Sequence, residues 1–516
     1  MKLLRQLFSR VVLVSLGIAI QLAWLFFIVF YLSSYYLFIA FALNLLSLAA
    51  VIFIINRPGN PQVKLAWIVP ILVFPLFGGI IFLISGGKGP KRKLRRALDR
   101  SRDMLESYVT GNMNLDLSNP SSVPARREDK YLLGQCHYLD RNGFPAYRDT
   151  DATYYADCKE GWQAILRDLE TAEHFIFMEY FIIRPGKMWD PVLEILKKKA
   201  AAGVEVRLMY DDVGSISYVP RGYAKELESY GIKCVAFNPY RPIYAVVMNH
   251  RDHRKIMVID GHIGYTGGAN FADEYIGEET RFGEWKDNFL RLKGEGVRSM
   301  TLLFLEMWNA NRPTDTEMNI AAYMPDPARF SPVRCDGLVQ PYGDSPVDSE
   351  ILAENVYLNI INQATDYVYI YSPYVVIDYE MTRALSLAAR RGVDVRLVVP
   401  AVPDKKIVYA LTKSYFPELM ENGVKVYRFT PGFVHSKVFV ADGRQAVVGS
   451  INLDYRSLVL HFENACMFVD HPVIPAVKAD FEETFPRCEL VSVKKRRFDM
   501  LYDLYLGLLR LFAPLL

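Results

Sequence analysis

The 516 residues contain no C-x2-C pair and no compact Cys/His cluster, because Cys136, Cys158, Cys234, Cys335, Cys466 and Cys488 all stand singly. That spacing excludes a zinc finger or ribbon and argues against a disulfide framework. Free thiols in a reducing compartment are the expectation. A strong charge of one sign is also missing: 60 Lys and Arg against 57 Asp and Glu leave a formal net charge of +3. A protein that coats nucleic acid needs more than this, so no nucleic-acid partner is expected. No additional carboxylate cluster suited to a divalent metal stands out. Finally, charge is absent altogether between Arg10 and Arg57, which excludes an ordinary soluble N-terminal region.

What fills that gap is apolar. Val11 to Asn56 is too long for one membrane span and suits two helices of about 20 residues, turning near Ser33, Ser34, Tyr35 and Tyr36. A third apolar run, Leu65 to Ser85, contains Pro70 and Pro75, which a membrane helix tolerates when neighbours satisfy the freed carbonyls. The basic segment KGPKRKLRRALDRSR follows. By the positive-inside rule it faces the cytoplasm beside anionic lipid, and the rest of the chain follows it there. Three full spans would put the N-terminus and the Arg57/Lys64 loop outside despite their own positive charge, so either the denser cluster dominates or one run is re-entrant. At the other end, Lys494 to Arg497 precede Phe498, Leu501, Tyr505, Leu508, Leu509 and Phe512 at helical spacing. That pattern suits a helix in the membrane interface, or one docked on the protein's own core.

Between these ends, one pattern occurs twice: His253-x-Lys255-x4-Asp260 and His435-x-Lys437-x4-Asp442, each leading to an asparagine at the same distance, Asn270 and Asn452. The repeat extends outward. HFIFMEYFII matches DYVYIYSPYVV, AAAGVEVRLMYDD matches AARRGVDVRLVVP, and LESYGIKCVAF matches LMENGVKVYRF, in the same order. Each reads as strands joined by helices that stop at glycine, an α/β unit duplicated within the chain. Two such domains can pack face to face about a pseudo-twofold axis, with proline-rich residues 325 to 346 between them.

Alternate side chains of a strand share a face, so His253 and Lys255 project together, as do His435 and Lys437. Two lysines and two asparagines suit the nonbridging oxygens of a phosphodiester, with more effect as charge grows in the transition state. One neutral histidine can attack phosphorus while the other exchanges protons with the alcohols. The lysines supply the positive charge a metal would bring, so neither metal nor cofactor is expected. Each histidine needs a hydrogen-bond acceptor on its other nitrogen, and an acid follows each motif in a strand-like context: Asp287 and Glu463. Asp260 and Asp442 are counted with the catalytic motifs, but they fall at the strand ends, where turn capping before Gly261 and Gly443 is the favoured reading. His250 and His461 could line the pocket mouth. His137, His174, His262 and His471 are expected at the surface or in the core.

The paired motifs, with Gly267-Gly268-x-Asn270 and Gly449-Ser450-x-Asn452, resemble the phospholipase D superfamily. The run NRPGNPQVKLAWIVPILVFPLFGGIIFLISGG, the extensions GGANFADEY and GSINLDYRS and the apolar C-terminus resemble the bacterial cardiolipin synthases within it. The resemblance implies two homologous phospholipase D-like domains behind N-terminal transmembrane helices in a bacterial cell membrane. It implies a reaction in which two phosphatidylglycerol molecules give cardiolipin and glycerol through a phosphatidyl-histidine, without nucleotide or metal. In the family pattern the residue at His253 is the nucleophile and that at His435 the acid/base. The organisation expected is a membrane region of two or three helices (1–86), a basic juxtamembrane linker (87–128), two α/β domains (129–330 and 331–490) and a membrane-associated tail (491–516). Partners are the two lipids and anionic membrane lipid, and a homo-oligomer is compatible with all of this. A hydrolytic phospholipase D or a phosphatidyltransferase with another acceptor would use the same motifs, whereas a silent lipid-binding scaffold need not retain both histidines.

Overall fold

The structure, a computed structural model, describes residues 36–57, 59–85, 89–110, 129–240, 250–315, 320–326, 328–331, 333–348, 350–492 and 500–515, with scattered positions between 19 and 27. The described chain divides into two compact units, one drawn from Met1–Lys93, Tyr240–Asn249 and Arg497–Leu516, the other from Leu94–Pro239 and His250–Arg496.

In the first unit, α1 (Tyr36–Ile55) is one continuous apolar helix. Its stretch Phe38–Ile55 is the one segment among the described residues long and apolar enough to cross a membrane. The proposed partner span toward Val11 and the turn at Ser33 to Tyr35 lie outside the described residues. The third apolar run differs from the expectation of a straight span. It is folded at Phe74 into α2 (Pro61–Val73) and α3 (Pro75–Ser85). Pro75 cannot continue the helix before it, and Gly78 lies so near the Pro70 carbonyl that a Cβ there would come within 2.4 Å of the oxygen. A helix of 13 residues reaches about 20 Å, short of a hydrocarbon core of about 30 Å. At the C-terminus, Lys494 to Phe498 lie outside the described residues. The final helix, Met500–Phe512, leaves Leu501, Leu504 and Leu508 exposed while Ala513 beyond it is buried. The helix thus has an apolar outer face and a packed end.

The basic segment forms α4 (Gly89–Thr110), not an open linker. Leu98 and Leu105, seven residues apart and so on one face, are buried in the core of the second unit, and Arg102 reaches Glu306 at 2.6 Å.

The second unit holds two mixed sheets. The first runs β1 (Thr150–Tyr155), β9 (Phe289–Gly294), β7 (Ile263–Gly267), β6 (Lys255–Ile259), β2 (Phe175–Tyr180), β3 (Glu205–Asp211) and β4 (Lys233–Phe237). The second runs β10 (Leu338–Asp344), β19 (His461–Val469), β17 (Gln445–Gly449), β16 (Val438–Ala441), β11 (Tyr367–Tyr371), β13 (Asp394–Pro400) and β14 (Lys425–Phe429), with β20 (Cys488–Leu490) added at its edge. The two orders correspond strand for strand, which establishes the duplication. Gly203 and Gly392 end the helices before β3 and β13 with φ of 93° and 97°, a conformation open to glycine.

The central strands β2, β6 and β16 are buried along their whole length, as layers covered on both faces must be. One core cluster joins residues of both sheets, such as Phe177 and Ile256 of the first with Val438 and Phe468 of the second, through the helix Val297–Asn311. The halves thus share one core within a single compact unit. Residues 129–147, assigned by sequence to the first half, instead lie on the second: Tyr147 pairs with Val339, and Gln340 Nε2 donates to the Cys136 carbonyl at 3.0 Å. All six cysteines are free.

Candidate active site

Two short parallel pairings join the halves. Arg251–Asp252 (β5) lies along the start of β19, with Arg251 opposite His461 and Asp252 opposite Phe462. Gly432–Val434 (β15) lies along Glu284–Lys286 (β8), with Phe433 opposite Trp285. One more backbone bond extends each pairing into the motif. The His253 amide donates to the Phe462 carbonyl at 2.9 Å, and the His435 amide to the Lys286 carbonyl at 2.7 Å.

Each motif histidine is therefore carried beside the strand that leads into the other half's acid. His253 Nδ1 lies 2.9 Å from both carboxylate oxygens of Glu463. His435 Nδ1 lies 2.6 Å from Asp287 Oδ2. The sequence places one acid after each motif; the fold gives each acid to the opposite histidine. The glycine and serine that distinguish the two asparagine motifs now have reasons. Ser450 Oγ donates to Glu463 Oε2 at 2.5 Å, while a Cβ on Gly268 would come within 2.1 Å of Asp287 Oδ1. The longer acid is tethered by a hydroxyl, and the shorter one fills the space of an absent side chain.

Both lysines are fully buried beside their histidines. Lys255 Nζ donates to the His253 carbonyl at 2.5 Å, and Lys437 Nζ donates to the His435 carbonyl and stands 2.8 Å from His435 Nδ1. Burial lowers the Lys255 pKa to about 7 against the pull of Glu463, and lowers Lys437 to about 8 against that of Asp287. Burial also lowers both imidazoles. His253 falls well below its ordinary value, pushed further by Lys255, His461, Lys437 and His435. His435 falls to about 4, with Lys437 adding to the fall and Asp287 opposing it. Burial raises Glu463 well above the usual carboxylate range, opposed by Lys255 and the Ser450 hydroxyl. Each histidine thus feels the other half's lysine, so the two motifs share one electrostatic environment.

The asparagines are not equivalent. Asn270 accepts the Ile182 amide at 3.1 Å and donates to Tyr275 Oη at 2.9 Å, and that hydroxyl lies 3.5 Å from His435 Nδ1. Its carboxamide is committed to holding the site together, whereas the Asn452 Oδ1 is buried with no hydrogen-bond partner among the described residues.

Asp260 and Asp442 are not at the site, which corrects their place in the catalytic set. With φ of 51° and 52° they end β6 and β16 and turn away from the histidines. Asp260 accepts the amides of Glu173, His174 and Phe175 at 2.8 Å each. Asp442 accepts those of Thr365, Asp366 and Tyr367 at 2.7 to 2.9 Å. Both therefore cap the entry to the neighbouring strand, at the end of the sheet away from the imidazoles.

One functional position was not identified from the sequence. Asn464 accepts the Lys255 amide at 3.0 Å and donates to Thr266 Oγ1 at 2.8 Å, bridging the halves. The repeated acid-asparagine pairs Asp287-Asn288 and Glu463-Asn464 were the available signal. His461 is buried with its ring centroid 5.6 Å from that of His253, and His250 Nδ1 lies 2.9 Å from the Leu460 carbonyl. His262 stacks on Phe330, His471 bonds to the Thr150 carbonyl, and His137 and His174 lie at the surface. His253, His461 and Glu463 bring donor atoms within 4.8 Å of one another, the one such group among the described residues. The set fits a cation poorly, because His253 Nδ1 already faces Glu463 and Lys255 stands alongside.

The family model described as cardiolipin synthase, phospholipase D-like domain, matches residues 165–281 and 357–485, and a phospholipase D-nuclease N-terminal model matches 43–87. A protein of Alkalihalophilus pseudofirmus named cardiolipin synthase is 35% identical over 83% of this chain and 84% of its own length. One of the same name from Halalkalibacterium halodurans is 35% identical over 90% of this chain and 91% of its own. An uncharacterized protein of Streptococcus mutans is 42% identical over 91% of this chain and the whole of its own. Among solved structures, a phosphatidylserine synthase of Haemophilus influenzae superposes with a TM-score of 0.53 at 15% identity, over 73% of this chain and 97% of its own, a likeness of fold.

Proposed function

This chain belongs to the family of phospholipase D-like cardiolipin synthases, and on that premise we propose that it joins two phosphatidylglycerol molecules into cardiolipin and glycerol. The protein is a membrane phosphatidyltransferase. The observation that carries the reading is the crossed pair of histidine-carboxylate contacts, His253 with Glu463 and His435 with Asp287, flanked by two buried lysines.

With Nδ1 held by Glu463, the lone pair of a neutral His253 is on Nε2, where it can attack phosphorus. The bond from phosphorus to the glycerol oxygen breaks, and His435, protonated from solvent once the bound phosphate adds its negative charge to that of Asp287, delivers that proton to the departing alcohol. A hydroxyl of the second phosphatidylglycerol then attacks, gives its proton to His435, and the P–N bond breaks. The local fields favour this division. The largest charge effects on His253, from Lys255, His461, Lys437 and His435, all disfavour a proton, while on His435 Asp287 favours one against Lys437 and Lys255. Lys255 and Lys437 meet the nonbridging oxygens, and an arriving phosphate restores their charge. Asn452 offers its carboxamide to the same group.

We place the catalytic halves on the cytoplasmic side, because α4 is basic and adjoins the apolar helices. We read the chain as multi-pass, with the folded pair α2 and α3 re-entering the bilayer beside α1. Purified protein with phosphatidylglycerol vesicles should yield cardiolipin and glycerol, and neither product should form with His253→Ala or His435→Ala. Phosphatidic acid as the main product at membrane-like lipid density would sink the transferase reading.

A further inference from the structure

The two halves of the site are related by the pseudo-twofold axis, yet their flanks differ in one consistent direction. The paired residues Arg251 and His461 beside His253 correspond to Phe433 and Trp285 beside His435. Arg456, in the extension GSINLDYRS, corresponds to Glu274 in GGANFADEY, and His250 to Gly432. The His253 flank sets basic groups beside one ring, Phe181 at 5.0 Å, and the His435 flank is built of three aromatic rings. Around His435, the rings of Trp285, Tyr275 and Phe433 have centroids 5.5, 5.6 and 6.1 Å from the imidazole. The carboxylate of that flank, Glu274, is neutralised by Arg184 at 3.1 Å.

The basic flank has the features of an anion site. His461 is buried, and its Nδ1 makes no hydrogen bond, lying 3.8 Å from Glu463 Oε1. Its Nε2 is 3.5 Å from a guanidinium nitrogen of Arg456. Arg456, Lys255, His250 and Arg251 all act on His461 electrostatically. The segment between Arg456 and His461, Arg456–Leu460, is a π-helical turn, and the matching stretch of the first half is a 3-10 turn (Asp273–Ile276). Such turns are rare and concentrate at functional sites. Here the turn sets Arg456 against His461.

A cardiolipin carries two phosphates separated by a three-carbon bridge, so the acceptor brings its own phosphodiester close to the phosphorus under attack. Resting on the transferase reading above, we propose that Arg456 and His461 form the subsite for the acceptor lipid's phosphate beside the reacting centre at His253. The uncharged aromatic flank at His435 then accepts the neutral glycerol headgroup. This assigns selectivity for an anionic acceptor to residues outside the repeated motifs.

The test compares two reactions that share the phosphohistidine and differ in acceptor: cardiolipin formation, and exchange of labelled glycerol into phosphatidylglycerol. Losing one charge-assisted contact to phosphate costs about tenfold or more. Arg456→Gln and His461→Asn should each lower cardiolipin formation by about that factor while glycerol exchange stays within about threefold of wild type, and Arg456→Lys should recover part of the loss. Equal loss of both reactions in all three variants overturns the subsite, as does cardiolipin formation at the wild-type rate. A wild-type enzyme that exchanges glycerol but makes no cardiolipin overturns the transferase reading itself, and the subsite with it.

Discussion

Glu463→Gln and Asp287→Asn probe the crossed architecture directly, because each acid lies in one half and serves the histidine of the other. Glu463 faces His253 Nδ1 through both oxygens at 2.9 Å, and Asp287 faces His435 Nδ1 at 2.6 Å. An amide in either place keeps the size and one acceptor but loses the charge and can turn its NH2 toward the ring, selecting the wrong tautomer. A hydrogen bond to a charged group is worth about 1.5 to 3 kcal/mol, which is about 10- to 150-fold in rate. Both variants should therefore lose one to two orders of magnitude in turnover. Their defects should nevertheless differ. With His253 as nucleophile, Glu463→Gln should depress formation of the acid-quenched phosphohistidine, as a defect at His253 would. Asp287→Asn should slow both formation and resolution, since His435 serves both steps, so that the intermediate it does form persists longer than in the wild type. Rapid-quench trapping with peptide mapping measures both. If Asp287→Asn suppressed the intermediate and Glu463→Gln merely slowed its resolution, then either the histidine roles or the crossed pairing would be wrong. Mapping the label to His253 or His435 decides which, and full activity in both variants would refute the orienting role altogether.

Two further outcomes follow from the site. Asp260→Asn should lower the stability of the protein by about 1 to 3 kcal/mol, since the carboxylate holds three backbone amides and asparagine tolerates the positive φ. Turnover of the folded enzyme should hardly change; a large fall in kcat with unaltered thermal unfolding would return Asp260 to the catalytic set. The pH dependence follows from the lysines, whose pKa values are lowered to about 7 and about 8. As pH rises through this window they lose protons in the empty site, so kcat/KM should fall, while kcat should fall less because bound phosphate restores their charge. A kcat/KM that is flat or rises from about pH 6.5 to about pH 9 would contradict the buried ammonium pair.

Much of this was legible in residue order. The His-x-Lys spacing in two copies, the glycine-stopped helices before β3 and β13 and the acids Asp287 and Glu463 all depend on local periodicity, which a chain displays in one dimension. The apolar character of α1 was equally plain. Local signals misled where a partner lay far away in sequence. The aspartates at the motif ends count as catalytic by their motif although the strand end points to a cap, and the amides each holds belong to the entry of a neighbouring strand. The run Leu65 to Ser85 reads as one span by composition, but Pro75 breaks it and Gly78 packs against the Pro70 carbonyl where it folds in two.

The sequence by itself determined the duplication, the chemistry of the phosphodiester site and the lipid setting, because each follows from residue type at fixed spacing. Tertiary structure alone decided which acid serves which histidine and which flank of the near-symmetrical site is basic. Those depend on β5 pairing with β19 and β15 with β8, contacts between residues about 150 to 210 positions apart. No periodicity along the chain encodes a partner at that distance; it is chosen when two sheets bury a common core and their loops are brought into register.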